Sequence, residues 1–425
     1  MHRTFARTIS ESWKSTLRIL YLAHRIPYPP NKGEKTRCFY QLQYLAARHS
    51  VDLMCFADSA KEAEGSHALS TFCRHVHVET LLPRTGYVRS AMRLLGGLPA
   101  SVAYYDSPAM HRAVSKAVSE TNYDLIFVYC SSMAQFVPLH SKVPIVIDFV
   151  DADSAKWAQY ARRSSFPSSW LYAREGTSLA RYEKKVTQDV NLSLVATPLE
   201  ALDLGGGGCR SVEVVPNGVT SPPVQASFEL PAVVRQAQPY ALFVGTMSYK
   251  PNADAVIYFA EEMFPLLRKT HPELRFLIVG RDPTRAVRDL ARHPGIIVSG
   301  SVPDVHPYLS GAAVVVAPFR IAQGVQNKVL EALVAGVPVI STSRPARAIG
   351  GHAADILLVA DTPKEFAASV QSVLENPEFR RRSVEAAPSL QKLLAWEPSL
   401  ARMEGLLETI AGVSRETNSA VPTHA

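Results

Sequence analysis

Short apolar runs alternate with longer amphipathic stretches along most of the chain. Residues 17–23 are an apolar run that ends in a Pro/Gly loop reaching from His24 to Gly33. Residues 34–49 carry helical periodicity, and residues 51–56 read as a strand. Further strand-like runs fall at 75–81, 124–129 and 143–150, mostly separated by helical segments. The pattern restarts at residues 240–245, a second strand running into a glycine. Residues 252–270 follow as a helix and 274–280 as a strand. Runs at 296–298, 313–317, 337–341 and 356–359 continue the alternation. Strands alternating with helices predict parallel sheets covered on both faces. The expected fold is therefore α/β, with two doubly wound, Rossmann-like halves facing a cleft.

Turn-forming residues around Val215-Pro-Asn-Gly-Val219 and Ser221-Pro-Pro place the boundary between the halves. The expected layout is an N-terminal extension (1–16), an N-terminal domain (17–217) and a C-terminal domain (218–390). A helix at 391–412 and a short tail (413–425) complete it. Leu400, Met403 and Leu407 share one face of that helix, which must dock on another element. The four-glycine run at 205–208 has no Lys-Ser/Thr after it and reads as a surface loop.

A chain of 425 residues with 47% apolar and 20% charged residues is globular and large enough for two cores. Five cysteines with no CxxC pair argue against a disulfide framework or a zinc site and suggest a reducing, cytoplasmic setting. No stretch reaches the roughly 20 apolar residues that span a bilayer. The formal charge is +7. That excess suits phosphate-bearing small molecules or an anionic membrane face and does not by itself indicate nucleic acid.

The most informative segment runs from Ala317 to Val339. A buried strand ends at Pro318, a loop containing Gly324 opens a helix near Gln326, and Gly336 stops it. Helix starts expose unpaired N–H groups and the positive end of the dipole, so they hold phosphates. Gly324 lets a diphosphate approach the backbone. Lys328 and Glu331 share a helix face. Lys328 can add charge to a phosphate, and Glu331 can accept two ribose hydroxyls; a solvated Lys–Glu pair has the same spacing.

The string Lys328-Val-Leu-Glu-Ala-Leu-x-x-Gly-x-Pro-Val339 resembles the donor-site signature of glycosyltransferase family 4, the retaining enzymes of GT-B fold (glycosyl transferases group 1). Residues 19–23, 214–219, 243–245, 276–281 and the Trp396 tail agree in order. A nearer likeness, to the sugar transferases of PEP-CTERM/exosortase systems, rests on residues 24–33, 148–157 and 245–252. The resemblance implies transfer of a sugar from a nucleotide-diphosphate sugar, with retention and without a metal, to a glycan or lipid-linked acceptor. It further implies exopolysaccharide or cell-envelope glycan synthesis. Donor contacts are expected from Gly245, Lys250, Arg281, Arg320, Gly324, Val325, Lys328 and Glu331. Lys328, Glu331 and Gln323 are the expected catalytic set. His24, Gly33, Asp148 and Asp151 are expected on the acceptor side.

Three positions depart from the family pattern. Gln323 stands where the family has a Glu, so it can hydrogen-bond but cannot act as an acid or nucleophile. Thr246 and Met247 stand where an Arg is usual, leaving Lys250, Arg281 or Arg320 to supply charge. Asp148 stands where a His is common. Asp148, Asp151 and Asp153 are also close enough in sequence to suggest a metal, although Asp153 reads equally as a helix cap. Two rival readings remain open: a nucleotide-sugar 2-epimerase of the same fold, and a non-catalytic sugar-nucleotide-binding module.

Residues 1–37 hold eight Lys or Arg against two Glu, and residues 156–185 hold seven against two. Trp157, Trp170, Tyr172 and Tyr182 interleave the second stretch. Such a surface predicts peripheral contact with anionic lipid headgroups on the inner membrane face. An ordinary helix pair packed on the sheet would carry the same residues.

Overall fold

The apolar runs form strands buried on both faces. The computed structural model describes residues 16–31, 33–81, 86–87, 89–90, 98–137, 142–204, 211–220, 231–349 and 356–413. The glycine run at 205–208, most of the 1–16 extension, the 221–225 part of the boundary and most of the 413–425 tail lie outside the described residues.

The first sheet contains β1 (Arg18–Ala23), β2 (Ser50–Ala57), β3 (His75–Thr80), β4 (Leu125–Tyr129), β5 (Ile145–Asp148), β6 (Leu192–Val195) and β7 (Val212–Val214). The second contains β8 (Tyr240–Val244), β9 (Arg275–Val279), β10 (Ile296–Gly300), β11 (Val314–Ala317), β12 (Val339–Ser341) and β13 (Leu357–Val359). All pairings are parallel. The orders are β3-β2-β1-β4-β5-β6-β7 and β10-β9-β8-β11-β12-β13. Each order reverses once, at β1/β4 and at β8/β11. Ligands of open parallel sheets bind outside the carboxyl ends of the strands at such reversals. Those ends lead to the His24 and Cys130 loops in one sheet and to the Gly245 turn and the Gly324 loop in the other.

The helices that shape the cleft are α1 (Gly33–Ala46), α2 (Asp153–Arg162), α3 (Ser168–Asp189), α4 (Pro198–Leu204), α5 (Lys250–Tyr258), α6 (Asn327–Val334), α7 (Ser343–Ile349) and α8 (Trp396–Ile410). The single helix expected over 252–270 is interrupted. A π-helical turn, Phe259–Met263, separates α5 from the helical stretch Phe264–Thr270. Pro265 has no N–H to donate and its ring crowds the preceding turn, which the wider π turn relieves.

Helix α8 returns to the first domain. Its Leu400, Met403 and Leu407 are buried in the core beneath β1 and α1. Trp396 stacks on Tyr40 with ring centroids 5.0 Å apart. A Cβ on Gly218 would lie 2.4 Å from the Trp396 Cα, so only glycine permits this crossing. His49, Glu404 and Glu408 place ligand-type atoms within 4.8 Å of one another. The His49 Nδ1 accepts the Leu17 N–H at 3.3 Å, which puts the ring proton on Nε2, 3.1 Å from Glu404. That proton makes the cluster a polar staple for α8 and leaves no imidazole lone pair for a cation.

Arg37, in the second turn of α1, is 1% exposed. Its Nε donates to Asp148 Oδ2 at 2.8 Å, and its Nη1 donates to the Val215 carbonyl and Asn217 Oδ1 at 2.9 and 2.8 Å. Removing one partner of a buried ion pair strands the other charge, at a cost of about 3–5 kcal/mol. Arg37→Met should therefore lower the unfolding free energy by roughly that amount in urea titrations. Adding Asp148→Asn should restore most of it; a double variant no more stable than the single one would show that the pair is not the source of the loss.

Candidate functional site

The site forms where the two sheet reversals face each other. On the C-terminal side β8 ends at Gly245 and β9 at Gly280. A Cβ on Gly280, whose φ is +155°, would fall 1.6 Å from the Gly245 carbonyl oxygen. A Cβ on Gly245 would meet the Asn252 amide at 2.7 Å and Lys328 Nζ at 3.1 Å. Both glycines are required by this close packing, which brings the β8 turn against the start of α6.

Lys328 is the electrostatic centre of that corner. Its Nζ donates to the Asn252 side-chain oxygen Oδ1 at 2.6 Å and lies 4.8 and 4.9 Å from the ring centroids of Phe243 and Phe319. Burial pulls its pKa down to about 7, against a smaller upward pull from Glu331. Burial pushes the Glu331 carboxyl up from its usual range, with Lys328 and His306 opposing. The ammonium is thus held by a neutral oxygen and two ring faces, an arrangement that an anionic ligand would complete.

Gly324 has φ +65° and places the loop before α6 against the first domain. A Cβ there would lie 2.0 Å from Asp151 Oδ1 and 3.5 Å from Glu200 Oε1. Val325 is half-buried beside it and packs against the second core. At the start of α6, Asn327 takes a hydrogen bond from the Asn217 amide at 3.1 Å. Its own amide lies 3.8 Å from where a Cβ on Gly33 would be. The first residue of α1 therefore faces the first residue of α6 across the cleft.

The remaining expected residues fall in several places. Gln323 is buried and its carbonyl oxygen accepts from Arg344 Nη2 (2.6 Å) and Gln159 Nε2 (3.2 Å). The Gln159 carbonyl in turn holds the Ala322 N–H at 3.1 Å. Arg281 spans the cleft, donating to Thr246 Oγ1 at 3.3 Å and to the Asn31 carbonyl at 3.0 Å. Lys250 points to the other domain, with Ser164 at 3.2 Å and the rings of Tyr160 and Tyr172 beneath it. Arg320 forms a two-point pair with Asp254 and lies over Tyr258, so its charge is already matched.

The three aspartates go three ways. Asp148 is fully buried against Arg37 and Gln41, and its Oδ1 accepts the Val150 N–H at 2.9 Å. Asp153 pairs with Lys156. Asp151 alone turns toward Gly324. Val150 between them has φ +66°, a strained conformation for a β-branched residue that the Asp148 bond holds in place. Asp148 thus acts through the turn that aims Asp151. His24 stacks on Tyr129 and meets Tyr105 edge-on. Burial lowers its pKa to about 3, so the ring is neutral and available for hydrogen bonding.

Sequence reasoning missed Gln159, Glu200, Asn217, Asn252, Asn327 and Arg344. Asn217 and Asn252 sit inside strings that carry a family resemblance, and Asn327 directly precedes one, a signal that was present. Gln159, Glu200 and Arg344 lie in stretches with no motif.

Residues 238–376 match the family described as Glycosyl transferases group 1. The chain is 25% identical over 356 residues to the phosphatidyl-myo-inositol mannosyltransferase of Mycolicibacterium smegmatis, covering 79% of this chain and 86% of that one. Its fold matches that of Anabaena Alr3699/HepE, solved with UDP, at a TM-score of 0.65 and 15% identity over 92% of this chain and all of that one. It also matches WaaG, a glycosyltransferase of lipopolysaccharide biosynthesis, at 0.62 and 16% over 93% of this chain and all of the other. The two-sheet architecture is the GT-B fold.

The Lys328 environment predicts a pH effect. An unliganded amine titrating near 7 is mostly neutral at pH 8, whereas a bound diphosphate favours the ammonium. Binding should then take up a proton, and affinity for a nucleoside diphosphate should fall up to about tenfold per pH unit above 7. Calorimetry in buffers of different ionisation enthalpy reads this directly. Lys328→Ala should bind more weakly and lose the slope.

Proposed function

We propose that this chain, a group 1 glycosyltransferase of the GT-B fold, moves a sugar with retention from a nucleotide-diphosphate donor to a glycan or lipid-linked acceptor. The observation that carries the donor half is the buried Lys328 amine, matched by a carbonyl oxygen and two rings at the mouth of α6. A diphosphate there meets an ammonium and the N–H groups at the start of α6; the expected close approach at Gly324 is taken by the Asp151 carboxyl instead. Glu331, three residues along, accepts the ribose hydroxyls.

As the glycosidic bond breaks, negative charge grows on the leaving diphosphate. Lys328 and the N–H groups stabilise that charge more in the transition state than in the bound donor, which is what accelerates the step. The acceptor hydroxyl approaches on the same face and passes its proton to the departing phosphate oxygen. In this reading the protein's own groups neutralise the diphosphate. Neutral His24 and the loop before Gly33 face the acceptor, and Arg281 ties that loop to the donor domain.

The likeness to a phosphatidylinositol mannosyltransferase supports a lipid-linked acceptor. A place in cell-envelope glycan synthesis draws support from the fold likeness to a lipopolysaccharide glycosyltransferase, whereas the exosortase association expected from the sequence finds no support among the relatives. Among the described residues no helix is long and apolar enough to cross a membrane. The corner between α2 and α3 suits a peripheral contact. Phe166 and Trp170 are 81% and 62% exposed there, and Leu171 is exposed beside them. Arg162 and Arg163 adjoin them, with Arg181, Lys184 and Lys185 exposed along α3. Trp157 and Tyr172, expected at headgroup depth, instead pack with Tyr160, and Tyr182 packs on the sheet.

Glu331→Ala should weaken nucleoside diphosphate binding about 10- to 100-fold, the worth of a charged hydrogen bond, without unfolding the protein. Unchanged affinity by calorimetry would remove Glu331 from the donor site. Radiolabelled nucleotide sugar separates transfer to an acceptor from epimer formation and from binding without turnover.

The protein should co-sediment with phosphatidylglycerol-containing vesicles at low salt and leave them near 1 M salt, where the Debye length is about 3 Å. Phe166→Ser with Trp170→Ser should abolish binding, and Arg162→Ser with Arg163→Ser should weaken it. Wild type remaining in the supernatant at low salt would mean that the acceptor is met in solution.

A further inference from the structure

Two carboxyl groups of the first domain converge on the glycine that opens the donor loop. Asp151 Oδ1 and Glu200 Oε1 both approach the Cα of Gly324, at 2.0 and 3.5 Å from the position of an added Cβ. Glu200 lies on α4 and is 1% exposed. Its Oε2 accepts the Thr197 hydroxyl at 3.0 Å, while the buried Oε1 makes no hydrogen bond to a protein donor. Burying two such groups side by side is tolerable only if they share a proton. Both are accordingly raised, Asp151 by burial and Glu200 to about 9 by burial and the Asp151 charge. Arg37 of α1, Lys156 and Asp153 of α2 and Tyr249 of the second domain bear on the pair from its surroundings.

The side chain nearest in sequence that could bind a sugar hydroxyl is otherwise engaged. The Gln323 carbonyl oxygen is taken by Arg344 and Gln159, and its amide faces Asp203 at 3.5 Å. The carboxyl pair lies beside Gly324 instead, with Glu200 buried behind Asp151 and Asp151 half-buried.

We propose that Asp151 and Glu200 together form the wall that selects the transferred sugar, accepting an uncharged sugar through its hydroxyls and rejecting a uronic acid. This rests on the donor reading above, in which Lys328 and the start of α6 hold the diphosphate and the sugar lies toward the Gly324 loop. With the shared proton held between the two groups, the pair presents acceptor oxygens, which match sugar hydroxyls that donate. The single negative charge of the pair opposes a second carboxylate, and like charges brought together in a closed cleft cost several kcal/mol. The wall is assembled from the first domain and the loop from the second, so selection operates only when the cleft is closed.

The test is calorimetry with UDP, UDP-glucose and UDP-glucuronate, and with GDP, GDP-mannose and GDP-mannuronate. Wild type should bind a neutral nucleotide sugar at least about tenfold more tightly than the matching uronate. Glu200→Gln keeps one charge on the pair and should keep the discrimination. The isosteric double variant Asp151→Asn/Glu200→Gln carries none and should bind the two sugars within about threefold, with affinity for the free diphosphate unchanged. That last value also reports that the variant is folded. A double variant that discriminates as wild type does, or a wild type that binds uronate equally well, overturns the proposal while leaving the donor reading intact. Failure of wild type to bind either free nucleotide overturns the donor reading and the wall with it.

Discussion

A guanidinium and a carboxylate, both removed from water, set the geometry on which the cleft relies. Arg37 ties α1 to the end of β5 through Asp148 and to the start of the interdomain crossing through Val215 and Asn217. Asn217 then reaches Asn327 at the head of α6. From the other oxygen of Asp148, the strained Val150 turn points Asp151 at Gly324. One buried ion pair thus fixes two lines of contact to the donor loop. Its net contribution to stability is small once desolvation is counted, so its consequence is positional.

Much of this was legible in the residues. Parallel sheets buried on both faces are built from continuous apolar runs, so most strands announced themselves and their alternation implied the doubly wound topology, while the short β6 and β7 were not among the expected runs. The placement of the Gly324 loop, Lys328 and Glu331 about the start of α6 was legible because a glycine loop after a buried strand, followed by apolar helical spacing, marks a helix start. The function of Asp148 was not. Sequence shows three aspartates within six positions, but a left-handed valine sends the side chains to separate partners.

Contacts across the cleft were the least legible. Gln159 meets Gln323 from 164 residues away, and Asn217 meets Asn327 from 110. Asn217, Gln323 and Asn327 lie in or beside patterned segments and Gln159 does not, but no pattern says which amide faces which, because a neutral amide gains meaning only from its partner. The aromatic residues of 156–185 failed for a related reason. Composition marked the stretch as suited to headgroups, but helix phase decides which rings turn outward. Trp157 and Tyr172 close against Tyr160, while Phe166, at the corner, is the ring most open to solvent.

The contacts that join the two halves of the cleft are mainly amides, carbonyls, a glycine and single cations. Gln159 holds the Ala322–Gln323 backbone and side chain, Arg281 holds the Asn31 carbonyl, and Lys250 holds Ser164. When such groups part, water replaces each hydrogen bond at nearly equal energy. Apolar exposure raises heat capacity and polar exposure lowers it. Parting these contacts would therefore lack the large positive heat-capacity change of separating an oily interface. The strength of the cleft contacts then depends little on the hydrophobic effect, and so little on the temperature changes to which that effect responds.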